Sequence, residues 1–360
     1  MPGSGTSLEA VGSSGLSLSC RSTGGPNLAK TVPRLVLHVG IHKTGTTTLQ
    51  VALRSLRPQL RRHGVALITI EQMKKLPHED AWAARRSRNP VLAPKFRAEL
   101  RALVDEEISA IEKTGASIRT VLISNERMVG ARMPSEGDSP VFRPKTEDAI
   151  NEVIDAIEPG EVEVTLYTRR QDRLMESCYL WEIQKGLSHS IHDQFPYMDK
   201  PVMSYFELAS RILAIPRVGD IRVRPFEMIK QGSLAYLDDF LTVVDLKGSL
   251  DYSEFEEDPA ANLSYSQQAL DIAMMINPLL DTRKQKNSVR RFLKSHFPIG
   301  EYPSAQILSA EERLRLIELY RGDNERLFAT FMPDLPADSY SELGKDAQLA
   351  TPVSEQAVSN

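Results

Sequence analysis

Arg34-Leu35-Val36-Leu37-His38-Val39-Gly40-Ile41-His42-Lys43-Thr44-Gly45-Thr46-Thr47-Thr48-Leu49-Gln50 is the stretch on which the fold turns. Leu35–Val39 is a short unbroken apolar run, the pattern of a central parallel strand covered on both faces. Two glycines bound the loop that follows. A threonine run then opens a helix, with Leu49, Ala52, Leu53, Leu56 and Leu60 at spacings of three and four. Strand, glycine-bounded loop and helix start together make an anion cradle, because the first N–H groups of a helix have no intrahelical partner and carry partial positive charge.

The spacing from Gly40 to Gly45 is that of a P-loop. A P-loop nucleotidase carries lysine directly after the second glycine; here Thr46 stands there, and the lysine lies inside the loop as Lys43. The plain alternative is a packing turn without a ligand. A packing turn has no use for an exposed lysine followed by three threonines.

Working outward, the chain alternates strand and helix. Pro58 kinks or ends the first helix, and Gly64 after Arg61-Arg62-His63 suits its C-terminus. Val65–Ile70 reads as a strand, and 71–95 as a polar irregular loop with Arg85, Arg86 and Arg88. Phe96–Lys113 has helical periodicity. The strand Ile118–Ile123 ends in Ser124-Asn125-Glu126-Arg127. A Pro- and Gly-containing loop, 131–144, precedes a helix over Glu147–Ile157. The strand Val162–Tyr167 runs into Thr168-Arg169-Arg170-Gln171-Asp172 and a helix to about Gly186. Further helices are expected at Ser204–Leu213, Leu234–Val243, Ser264–Asn277 and Ser309–Phe331, the last opened by a capping box, with a strand at Ile221–Phe226. Between the last two helices lies a basic run from Arg283 to Lys294. This order predicts an α/β fold: a three-layer sandwich with a mostly parallel central sheet, P-loop NTPase-like. Ligands of such sheets bind outside the carboxyl ends of the strands. Gly40–Thr48, Glu126 and Arg169–Asp172 each follow a strand, so they belong to one edge.

Residues 1–30 are rich in Gly, Ser and Thr and are expected to be disordered, as is 336–360, leaving one domain over 31–335. The chain has 44 Lys and Arg against 48 Asp and Glu, a net charge of −4, which gives no support to coating nucleic acid. No apolar run spans a bilayer, and no signal peptide opens the chain. With only Cys20 and Cys178, a reducing, cytoplasmic location is the simplest expectation. Oligomeric state is not legible.

On the shared edge, Lys43 and the threonine hydroxyls suit a phosphate or sulfate. Arg169 and Ser177, eight residues on, can grip one phosphate together if a helix begins near Gln171; otherwise Arg169 and Arg170 are solvated or paired with Asp172. Glu126 is either a general base or half of an ion pair. His42, whose pKa the neighbouring Lys43 lowers, is either a second candidate base or a bystander.

Gly40-Ile-His-Lys43-Thr-Gly45-Thr46-Thr47 resembles the 5′-phosphosulfate loop of sulfotransferases that use PAPS (3′-phosphoadenosine 5′-phosphosulfate), in the form met in bacterial sulfotransferase-like proteins. Arg169, Ser177 and Tyr179, in Arg-Arg-Gln-Asp-x-x-x-x-Ser-x-Tyr, resemble their 3′-phosphate motif. Leu60–Val65, Val223-Arg224-Pro225-Phe226-Glu227 and Asn262-Leu263-Ser264 are also similar, so the likeness covers roughly 34–330. It implies a PAPS-dependent enzyme that moves a sulfuryl group to a hydroxyl or amine of a small-molecule or carbohydrate acceptor, with no metal. Gly40, Lys43, Thr44, Gly45, Thr46, Thr47 and Thr48 would hold the 5′-phosphate, with Lys43 on the leaving phosphate. Arg169 and Ser177 would hold the 3′-phosphate, and Glu126, or else His42, would act as base. Two departures stand out: Thr48 replaces the aromatic residue of the cytosolic enzymes, and their C-terminal Arg-Lys-Gly loop is missing. The competing readings are a P-loop kinase or NTPase and a non-catalytic nucleotide- or glycan-binding module.

Overall fold

The computed structural model describes residues 31–78, 91–129, 146–253, 255 and 264–344. All belong to one compact unit within Thr31–Asn360. Five parallel strands form a single sheet in the order β2-β3-β1-β4-β5. They are β1 (Arg34–His38), β2 (Val65–Thr69), β3 (Thr120–Ser124), β4 (Glu161–Thr168) and β5 (Asp220–Pro225). The described helices are α1 (Thr46–Ser55), α2 (Arg57–Arg62), α3 (Ile70–Met73), α4 (Ala93–Glu112), α5 (Thr146–Ile157), α6 (Gln171–Ile183), α7 (Ile191–Gln194), α8 (Tyr205–Leu213), α9 (Ser233–Leu241), α10 (Gln267–Ile276), α11 (Arg283–His296) and α12 (Ala310–Phe331).

Two hydrophobic cores sandwich the sheet, and strand alternation supplies both. Leu35, Leu37, Ala66, Ile68, Val121, Ile123, Val164 and Leu166 face the core that holds Val104, Ile108 and Ile150 of α4 and α5. Val36, Leu67, Leu122 and Tyr167 face the other core, with Leu49 and Leu53 of α1 and Leu237 and Phe240 of α9. Each Val, Leu, Ile or Phe among them contributes about 1.5–3 kcal/mol on full burial. Strands covered on both sides need apolar residues at every position, which is why β1, β2 and β3 read as unbroken hydrophobic runs.

The carboxyl edge of the sheet is stepped. His38, Ser124 and Thr165 lie in register across β3, β1 and β4, and Thr69 of β2 is level with Ser124. There β1, β2 and β3 end, whereas β4 continues through Leu166 and Tyr167 to Thr168, paired with Pro225 of β5. At about 3.3 Å per residue the step is roughly 10 Å high.

Several expectations are corrected. Pro58 does not merely bend the first helix: α1 ends at Ser55 and α2 begins at Arg57 with Pro58 in its first turn. Ile70 belongs to α3 and not to β2, because Thr69 and Gln72 form a capping box. The start of the 71–95 loop is therefore helical. The basic run is also a helix, α11, capped by Thr282 and Gln285. The C-terminal disorder expected from 336 does not hold through 344: Tyr340 is fully buried and donates to Glu227 Oε2. Composition misled there because one buried aromatic anchors a polar segment. Arg85, Arg86, Arg88, the 131–144 loop, Asn262-Leu263 and the tails 1–30 and 345–360 lie outside the described residues. No described helix is long and apolar enough to cross a membrane.

Candidate functional site

The loop leaves β1 under tight backbone control. Val39 N–H donates to Thr165 O at 3.0 Å, and Asn125 N–H donates to His38 O at 3.0 Å. Thr44 Oγ1 donates to Ile41 O at 2.6 Å and closes the turn. Gly45 has φ +73°, and a Cβ there would lie 2.7 Å from the Phe226 ring and 3.2 Å from Tyr236. Glycine is thus required twice, by conformation and by space. Tyr236 OH donates to Thr44 O at 3.1 Å. A Cβ on Gly40 would come within 2.4 Å of Thr46 Cγ2. No side chain caps α1 at Gly45, which suits a helix start that receives an anion. Thr46 is buried, Thr48 half-buried and Thr47 exposed.

Lys43 also sits in the left-handed region, at φ 70°. Such strain in a non-glycine residue costs of order 1–3 kcal/mol and persists where the surroundings impose it. Burial pushes the Lys43 ammonium below its ordinary pKa, and repulsion from Arg169 and Lys294 adds to that. Lys43 and His42 line a cavity of about 30 Å³ together with Cys178, Trp181 and Glu182. The Cys178 thiol is pushed up to about 11 by burial, so it is neutral and offers Lys43 no counter-charge at neutral pH.

Arg169 follows the raised end of β4 and overhangs this loop. Its Nη1 donates to Lys43 O at 2.9 Å, and its guanidinium carbon lies 5.0 Å from the centroid of Phe226. Phe226, which begins a 3₁₀ turn after β5, therefore packs under both Gly45 and Arg169. Tyr205 OH donates to Arg169 O at 2.7 Å. The next arginine turns inward. Arg170 is buried, with Nε 2.7 Å from Asp172 Oδ1, and its N–H donates to Glu227 Oε1 at 3.1 Å. Asp172 also pairs with Arg313 at 3.0 Å. Of the two arginines for which the sequence allowed a pairing with Asp172, Arg170 makes it and Arg169 does not. Ser177 is half-buried on the second turn of α6, next to Cys178. It makes no hydrogen bond to Arg169, and its neighbour Cys178 lines the cavity with Lys43.

Glu126 lies just past β3, half-buried, with its Cβ 3.8 Å from the position a Gly40 Cβ would take. Its partner is a neutral amide, not Arg127: Gln50 Nε2 donates to Glu126 Oε2 at 2.9 Å. The same amide nitrogen is 3.3 Å from Ser124 Oγ, which lies 2.9 Å from His38 Nδ1. His38 is fully buried, with Nε2 unpartnered among the described residues and its pKa lowered to about 3 by burial. It is neutral at all physiological pH. Among the described residues Glu126 makes no ion pair, and its carboxylate is held by the Gln50 amide alone.

No protein-family model matches the chain, and a search of curated proteins finds no match.

Sequence reasoning missed Gln50, His38, Tyr236 and Tyr340. Gln50 carried a signal, since it is the first polar residue after the threonine run at an inward helical position. Phe226 was expected at the end of the strand Ile221–Phe226, but that strand stops at Pro225 and Phe226 opens the 3₁₀ turn. Tyr340 had no local signal. Among the described residues no cluster of three or more His, Cys, Asp or Glu could hold a metal.

Proposed function

We propose that the protein is a PAPS-dependent sulfotransferase that acts on a hydroxyl or amine. The observation that carries this reading is the hydrogen bond from Arg169 to the Lys43 carbonyl. It joins, through tertiary structure, the two segments whose sequences resemble the 5′-phosphosulfate and 3′-phosphate motifs. A P-loop nucleotidase needs its lysine after the second glycine, where Thr46 is buried.

PAPS, as donor substrate, would supply the sulfuryl group and depart as the bisphosphate. The residues fit such a ligand: the glycines leave room for close backbone approach, and α1 starts without a side-chain cap. Thr46, Thr47 and Thr48 offer N–H and hydroxyl donors. Lys43, held in place by strain and low in hydration, would neutralise charge growing on the departing phosphate oxygen. Arg169 would present its remaining N–H donors to the 3′-phosphate. Glu126, aimed by Gln50, would accept the proton of the attacking hydroxyl or amine as its new bond to sulfur forms. His42 lines the cavity beside Lys43 and stands as the second candidate base.

The test is thermal stabilisation by 3′,5′-bisphosphoadenosine against ATP with Mg²⁺. At 100 times its Kd a ligand adds about 2.7 kcal/mol. Stabilisation by the bisphosphate and not by ATP supports the proposal; the reverse order returns the chain to the nucleotidases. Stabilisation by the bisphosphate with no transfer to any acceptor in a broad panel makes it a binding module.

A further inference from the structure

α11 carries Arg283, Lys284, Lys286, Arg290, Arg291 and Lys294 and no acidic residue. None of these six is in an ion pair among the described residues. Two of them, Arg283 and Lys284, occupy the first turn, where the helix dipole opposes cations. Lys286, Arg290 and Lys294, spaced four apart, share one face and are half-buried. The face on the other side, with Lys284 and Arg291, is exposed. Burial pushes the Lys294 ammonium down, and Arg290 adds repulsion. Three aligned cations, partly desolvated and without a counter-ion, repel one another unless an anion comes to them.

The stripe runs toward the site. The Lys286 side chain lies over Gly186, just past the end of α6: a Cβ there would meet its Cδ at 2.5 Å. Asn277, in the turn before α11, donates to Ile183 O at 2.8 Å and to Leu187 O at 2.7 Å, fixing the hairpin on α6. The same helix presents Cys178, Trp181 and Glu182 to the cavity with Lys43. Lys294 is at the end of the stripe whose charge reaches Lys43. From Lys286 to Lys294 the stripe covers roughly 12 Å at 1.5 Å per residue.

We propose that the Lys286–Arg290–Lys294 face of α11 binds a linear oligosaccharide bearing carboxylate or sulfate groups, the acceptor whose reacting hydroxyl lies at Lys43. This rests on the sulfotransferase reading and supplies its substrate class. The stripe is longer than one phosphate, and the donor's phosphates already have Arg169 and the loop. Trp181 lines the same cavity, with Lys185 Nζ over its ring. A flat lipid surface would meet the outer face, not a half-covered flank, although Met275, Leu279 and Phe292 are exposed nearby.

The experiment measures binding of a heparin-derived octasaccharide to the full chain, with saturating 3′,5′-bisphosphoadenosine. K286E/R290E should weaken it about tenfold or more and flatten its salt dependence, and the outer-face pair K284E/R291E should change it less than about twofold. K286Q/R290Q, which removes charge without reversing it, covers a failure of the first pair to fold. Equal losses in the inner and outer pairs would overturn the proposal. So would equally tight binding of a poly-glutamate peptide of matched charge, or capture by anionic phospholipid vesicles with no oligosaccharide binding. Nucleotide stabilisation is read separately: its absence removes the sulfotransferase reading, whereas its presence without oligosaccharide binding removes this inference alone.

Discussion

Arg169 donates from Nη1 to the carbonyl oxygen of Lys43 at 2.9 Å, across 126 positions of sequence. One side chain thus fixes the backbone of the residue that carries the other cation of the site. Arg169→Ala is expected to do two things at once. It removes a charge-assisted hydrogen bond, lowering stability by about 1–2 kcal/mol, and it abolishes stabilisation by 3′,5′-bisphosphoadenosine. Arg169→Lys should fail to restore binding, because one ammonium cannot serve the carbonyl and a phosphate together. Unchanged bisphosphate affinity in the alanine variant would remove Arg169 from the donor site.

Lys43 holds a strained backbone and a partly desolvated charge for which no described carboxylate compensates. Lys43→Gly should therefore raise stability by about 1 kcal/mol in denaturant unfolding while transfer activity disappears. A loss of stability instead would mean that the lysine holds the loop together.

Gly45 has no room for a methyl group, with Phe226 2.7 Å from its would-be Cβ and φ at +73°. Gly45→Ala is expected to cost about 2 kcal/mol, from backbone strain and overpacking together. It should also displace Phe226 from Arg169, so nucleotide stabilisation falls as well. The two losses are separable by melting with and without bisphosphate.

Glu126→Gln should keep nucleotide binding and lose transfer. Gln50→Leu should leave Glu126 in place but unaimed, lowering kcat while nucleotide stabilisation is kept. If His42→Ala abolishes transfer and Glu126→Gln does not, the base is His42.

Asp172 gives the sharpest pH prediction. Burial alone would raise its pKa, but the bonds to Arg170 and Arg313 outweigh that and hold it below 3.8. A depressed carboxylate stabilises the fold above its unfolded pKa, and that stability is lost as pH falls through the folded value. Asp172→Asn should cost about 3 kcal/mol at neutral pH, because it removes the carboxylate bonded to buried Arg170, and the remaining stability should fall less steeply below pH 3.8. Parallel acid limbs in the two proteins would mean that Asp172 does not titrate in that window.

The layout of the sheet was legible because each strand buried on both faces writes an unbroken apolar run, and each helix a period near 3.6. Placement of Gly40–Thr48, Glu126 and Arg169 on one edge followed from parallel topology alone. Contacts were not legible where they depend on residues far apart. Nothing local says that Gln50 reaches Glu126, that Phe226 packs under both Gly45 and Arg169, or that Tyr340 reaches Glu227. Helix α11 was hidden for a different reason: a charge run reads as solvated surface until its neighbours show that one flank is covered.

The stepped edge of the sheet makes the reach of Arg169 a matter of strand length. Deleting two residues from β4 beyond Thr165 would keep every remaining side chain on its own face, since alternation has period two. It would also lower Arg169 by about 6.6 Å, out of touch with the Lys43 carbonyl. The two halves of the site are thus set against each other like jaws whose gap is cut by the number of residues in one strand.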